Sequence, residues 1–270
     1  MTTAEANNLN ILDLPVDVLS LILQPLVTSP SPIQLCPCIA SPIDPLPVLL
    51  SHPALHTIAT PLLYAGNEFV LDATGPHAQH VRRELLVTPG TDERLPGRAT
   101  LLTTPDALRR IARLQVRIDR LRGWVGAGVV PLLAELAVKG RLEHLTVWVR
   151  TPGERKVQVQ PARSKRDGEG TDLDMFSRPP LEGLLRVLAD PYLLSARLWV
   201  DARHARTWCR FHAGGCSAGT AGEGWTGSGT REREREREGE VVEIDWREVL
   251  RVVDPERKDI AVAVATEKKW

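Results

Sequence analysis

Cysteine and histidine are the residues of this chain best suited to hold a metal, and they gather in two places. His204, Cys209, His212 and Cys216 fall within 13 residues. Neutral imidazole and thiolate are the donors that zinc prefers. Their spacing, H-x4-C-x2-H-x3-C, follows no established zinc framework, and it runs into Gly-rich sequence that would not hold a geometry. The second place is Cys36-Pro-Cys38, which has one intervening residue, lies in a proline-rich stretch and has only a speculative, distant partner. The expectation is therefore no metal site and no cofactor.

Other chemistry has even less to stand on. Neither GxGxxG after a strand nor GxxxxGK[ST] occurs, so no phosphate-cradling loop is expected. One GxSxG string occurs, Gly215–Gly219, but it lies in Gly-rich low-complexity sequence rather than between a strand and a helix, so no nucleophile elbow is expected. His144 lies just before a strand and reads as a structural or surface histidine. Asp172 and Asp174 sit in a polar stretch and read as solvated. With no nucleophile, base and orienting group in one pattern, the chain is not expected to be an enzyme.

What remains is recognition, and it depends on strands. Leu114-Gln-Val-Arg-Ile118, Leu145-Thr-Val-Trp-Val149 and Ala196-Arg-Leu-Trp-Val200 each alternate with the period of a strand. Helices are expected between them, at about 129–138 with Gly140 at its end, and at about 180–189. Another is expected from Thr104 as N-cap and Pro105 to about Leu114. Residues 77–87 could form one more. Strands that alternate with helices imply a parallel sheet. A last unit is expected from strand 241–244, helix 246–253 and strand 260–265. If the three alternating strands are neighbours, Arg117, Trp148 and Trp199 form a cross-strand row. Exposed Trp and Arg are the usual anchors of protein-binding surfaces, so these three are the expected target-binding residues. The competing expectation is that loop 151–177 or the C-terminal tail covers both tryptophans.

The N-terminal part is built differently. Leu14, Val18, Ile22 and Leu26 repeat at i, i+4, with Leu19, Leu23 and Val27 widening the stripe. Pro15 suits the first turn of this helix, and Pro25 should end or bend it. Residues 28–45 hold five prolines and read as an extended loop. An apolar helical stretch follows over 46–64, with expected breaks at Pro53 and Pro61.

The strings LDLPVDVLSLIL, LPVLLSHPALHTIATPLLY and FVLD, over about residues 11–72, resemble the F-box-like start of many fungal proteins. Leu14, Pro15, Asp17 and Val18 match the opening of its first helix. Pro61, Leu62, Leu63 and Tyr64 match the end of a later one. The resemblance implies a small helical module that docks on a Skp-type adaptor of a cullin–RING ubiquitin ligase. Leu14, Pro15, Val18, Leu19, Ile22, Leu49 and Leu50 are the expected adaptor-binding residues. The 28–45 link is longer and richer in proline than is usual in that family, and Ser51, His52 and Pro53 stand where basic and aromatic residues are common. The following strand–helix units resemble a degenerate leucine-rich-repeat-like array, with an ordinary small α/β sheet as the alternative.

The expected fold is thus α+β or α/β. It has an F-box-like helical module at 11–72, an irregular parallel-sheet domain at 77–212 and 241–265, and a low-complexity insert at 213–240. That insert carries eight glycines and an Arg-Glu alternation over 231–238, and its own charges cancel. The expected role is a non-catalytic substrate receptor of the ligase.

Charge distribution offers a rival reading. The net charge is zero, yet residues 1–80 carry six acids and no base, while 81–166 carry 18 bases and 8 acids. That basic segment could bind nucleic acid, but no reader motif accompanies its arginines, so nucleic acid is not the expected partner. A scaffold outside any ligase is the third reading. No apolar run reaches the ~18 residues of a membrane span. Residues 1–80 hold no Lys or Arg, so no basic leader is expected, and four cysteines fit a reducing compartment, so the expected location is cytoplasmic, nuclear or both.

Overall fold

The computed structural model describes residues 10–36, 38–84, 104–151, 180–201 and 241–254. Its centre is a six-stranded sheet in which spatial order follows chain order. The strands are β1 (Ile33–Gln34), β2 (Glu68–Ala73), β3 (Arg113–Arg120), β4 (His144–Thr151), β5 (Ser195–Asp201) and β6 (Val241–Ile244). The first five run parallel and β6 is antiparallel to β5. The fold is therefore α+β with a mixed, mostly parallel sheet.

Parallel neighbours need crossovers, and helices supply them. The helices are α1 (Val16–Val27), α2 (Leu46–Ser51), α3 (Pro53–Gly66), α4 (His77–Glu84), α5 (Pro105–Leu108), α6 (Val130–Lys139), α7 (Leu181–Leu188) and α8 (Trp246–Val253). A single π turn, Val125–Val129, leads into α6. Starts are marked by side chains that accept the free amides of the first turn. Thr104 caps α5, His52 caps α3 through Nδ1, and Asp245 accepts from the amides of Arg247 and Glu248.

One face of the sheet meets the helical core. Phe69, Leu71, Leu114, Val116, Ile118, Leu145, Val147, Val149, Leu198 and Val200 share a continuous apolar cluster with Leu23, Leu63, Leu133, Leu136, Leu184 and Val249 of the helices. The N-terminal helices thus share a core with the sheet, and β1 and β2 extend it from within the 11–72 segment expected to be a helical module.

Several expectations need correction. Residues 28–45 contain β1, whose backbone pairs with β2 despite the surrounding prolines. The second apolar stretch breaks at His52 only, since α3 continues through Pro61. A proline inside a helix deprives the carbonyl four residues earlier of its donor. For Pro61 that carbonyl belongs to Thr57, and for Pro25 to Leu21. Both residues are exposed, so water can replace the missing amide. Helix α5 ends at Leu108, six residues before the expected boundary, because β3 begins at Arg113. Gly140 does cap α6, but with φ −100° rather than a left-handed turn. It is required by contact: a Cβ there would sit 2.5 Å from the Leu136 carbonyl oxygen and 3.0 Å from that of Arg109. The expected strand 260–265, the insert 213–240 and the loop 151–177 beyond Thr151 lie outside the described residues.

Candidate functional site

Three places on this frame present chemistry or recognition. The first is set by the end of β1. After Leu35, whose amide bonds to the Val70 carbonyl at 2.9 Å, the chain turns and presents Cys36 and Cys38. The strand beside it, β2, runs into the first turn of α4, which presents His77 and His80 three residues apart on one face. The two segments meet. Cys36 Sγ lies 2.8 Å from Cys38 Sγ, 3.3 Å from His77 Nδ1 and 3.4 Å from His80 Nδ1. Cys38 Sγ lies 3.0 Å from His77 Nδ1. One donor atom from each of the four residues falls within 4.8 Å of the others. Cys36 is buried, both histidines are half-buried and Cys38 is exposed.

Burial pushes the Cys36 thiol up to about 11, with Cys38 and the negative charge of Asp72 adding to the rise. A nucleophilic cysteine needs the opposite shift, toward thiolate at neutral pH. The Cys36–His77 contact therefore does not have the character of an activated nucleophile and base. What it offers is two sulfur and two nitrogen donors gathered within 4.8 Å of one another. From the sequence, Cys36 and Cys38 have only a speculative, distant partner, and no metal site is expected there. The signal was there in two halves, C-x-C and H-x2-H, but only the β1–β2 pairing joins them. The other group, His204, Cys209, His212 and Cys216, lies outside the described residues.

The second place is the outer side of α1 and α2. Leu21 and Leu50 are 70% and 78% exposed, and Val18 and Ile22 are each 40% exposed. Pro15 is exposed and Leu14 half-buried. Leu19 and Leu49 are only 3% and 5% exposed, so they are corrected from adaptor-facing to inward-facing residues. Leu21 and Leu26, absent from the expected set, stand on the exposed side.

The third place is the sheet face opposite the helical core. Register puts Asp72, Arg117, Trp148, Trp199 and Glu243 opposite one another across five strands. The expected Arg117–Trp148–Trp199 row is present in the geometry. The Arg117 guanidinium carbon stands 5.4 Å from the Trp148 ring centre, and the two indoles are 6.5 Å apart. Arg117 also donates to Gln115 Oε1 from Nε and Nη2. Trp148 and Trp199 are half-buried, and Trp148 Nε1 is enclosed without a hydrogen-bond partner. Neither bare anchors nor full core residues, they lie between the two expectations.

Among the described residues, the arginines of the basic segment are spread over several elements. Arg113 and Arg120 lie at opposite ends of β3, and Arg109 is bound to Glu135 at 2.6 Å. That pairing holds the Glu135 carboxyl below its usual range and raises Arg109. Among the described residues no helix is long and apolar enough to cross a membrane. The chain matches no protein-family model, no curated protein and no solved structure.

Proposed function

We propose that this chain is a non-catalytic protein-interaction protein of the F-box-like kind, a substrate receptor that docks on a Skp-type adaptor through α1 and α2 and holds a target on its sheet. The observation that carries the reading is the split along α1 and α2. Leu19, Leu23 and Leu49 are turned inward, while Val18, Leu21, Ile22, Leu26 and Leu50 are left uncovered. Contiguous exposed apolar side chains on a helix face suit helix-in-groove recognition. The succession of strand–helix units behind them supports a leucine-rich-repeat-like receptor part, with Arg117, Trp148 and Trp199 as the target-facing row. A receptor of this kind acts by positioning, since tethering raises the target's effective concentration beside the ubiquitin-charged partner.

The test is co-expression of the full chain with a fungal Skp-type adaptor, followed by gel filtration. Wild type is expected to co-elute. Leu50→Asp and Ile22→Asp are expected to lose co-elution while keeping the wild-type circular dichroism spectrum. A wild type that elutes without the adaptor removes the ligase reading and leaves a scaffold. Undiminished co-elution of both variants moves the contact away from α1 and α2.

A further inference from the structure

We propose that Cys36, Cys38, His77 and His80 form a zinc site that fastens the edge strand β1 to the helix following β2. The proposal is independent of adaptor docking. Cys36 Sγ faces three acceptor-capable atoms within 3.4 Å, those of Cys38, His77 and His80. A thiol has one hydrogen, so it can satisfy one of them. The rest of the cluster must find hydrogens from the other thiol or from the ring nitrogens, and some lone pairs are left facing one another. A single cation at the common point satisfies all four donors together.

The donor set selects the metal. Two sulfurs and two imidazole nitrogens in a tetrahedral arrangement are the mark of structural zinc. Zinc bonds of about 2.3 Å to sulfur and 2.0 Å to nitrogen put neighbouring donors about 3.3–3.8 Å apart. Four of the cluster's separations run from 2.8 to 3.4 Å, and every donor lies within 4.8 Å of the others, so small side-chain movements suffice to admit the ion. Charge also balances. Each cysteine loses its thiol proton to solvent, Zn2+ takes the two thiolates and two neutral imidazoles, and the half-buried complex has no net charge. Four protein ligands leave no open position, so the ion is structural rather than catalytic. The exposed Cys38 gives it a way in.

The fold has a use for such a staple. Among the described residues, strand β1 is two residues long, stands at the sheet edge and pairs only with β2. The ion would tie the turn after it to α4, a link the short ladder cannot make alone.

The test uses the full reduced chain, stripped with a chelator and titrated with Co2+ and then Zn2+. The chain with both Cys209→Ser and Cys216→Ser is expected to bind one Co2+, with the visible bands of tetrahedral thiolate-ligated cobalt, and one equivalent of Zn2+ should bleach them. Cys36→Ser and His77→Asn in that background are expected to lower zinc affinity by at least about a hundred-fold. X-ray absorption of the zinc-loaded double variant, which keeps all four proposed ligands, should show two sulfur and two nitrogen neighbours whether or not the ligand variants fold. No cobalt bands in the double variant, or an oxygen-only zinc shell, would overturn the proposal.

Discussion

The side-chain amide of Asn67 donates from Nδ2 to the Val27 carbonyl oxygen at 2.8 Å, joining the ends of α1 and α3 across forty residues of chain. The same nitrogen donates to Leu63 O at 2.7 Å, and Oδ1 accepts from Ser29 N at 2.7 Å. Asn67 is 1% exposed, so water cannot replace these bonds. Asn67→Ala leaves several backbone groups unpartnered in the interior and is expected to cost about 2–4 kcal/mol, read from the shift in urea midpoint. A loss within about 0.5 kcal/mol would mean that the joint is held by apolar packing instead.

Gly140 gives a second check on how the elements meet. Its amide bonds to Leu136 O, and the next amide, of Arg141, reaches Arg109 O at 2.8 Å. Gly140→Ala drives a methyl group into backbone oxygens that cannot move independently. The expected cost is about 1–3 kcal/mol by denaturant titration. Simple helix-propensity reasoning would instead have alanine stabilise the end of α6.

On the α1–α2 face, inward and outward leucines should behave oppositely. Leu19→Asp buries a carboxylate without a partner, and the protein is expected to lose about 3 kcal/mol or more. Leu50→Asp places the same group in water and should change stability by less than about 0.5 kcal/mol. Thermal scans of the two variants decide this without any partner protein.

Trp148 separates recognition from packing. Trp148→Phe keeps a ring against Trp199 and Arg117 while removing the enclosed, unpartnered Nε1–H. It should unfold no earlier than wild type, because an unsatisfied buried donor is a cost. Trp148→Ala removes the ring altogether and is expected to lose about 1–3 kcal/mol, consistent with a half-buried position, and to weaken target binding. Equal, severe destabilisation by both changes would make the residue a packing element alone.

Tyr64 supplies a pH dependence. Burial raises its phenol above the ordinary value of 10.0, with the charge of Arg110 opposing the rise. Near and above that pH the unfolded chain gives up the proton that the folded chain keeps, so stability must fall as pH rises. In Tyr64→Phe this part of the alkaline loss should vanish, measured as the difference in urea midpoint between the two proteins at a series of pH values above 9.

The middle of the fold was legible because β3, β4 and β5 alternate, and alternation encodes both the strand and its faces. The cross-strand row followed from that register alone. Strands β1 and β2 were not legible in the same way. Phe69, Val70 and Leu71 are all buried, so an unbroken apolar run in the middle of β2 masks its period. Strand β1 is two residues set among prolines, and only its partner makes it a strand. The Cys36/Cys38–His77/His80 cluster was hidden for the same reason: its halves lie 41 residues apart, and no local pattern announces their meeting.

Because β1 through β5 all point the same way, their C-terminal ends share one rim of the sheet. Cys36 follows β1 there, His77 follows β2 there, and the stretches 152–179 and 202–240 leave from Thr151 and Asp201 at the same border. Strand direction alone therefore brings the segments that carry Cys36 and His77 to one border, however much chain runs between them.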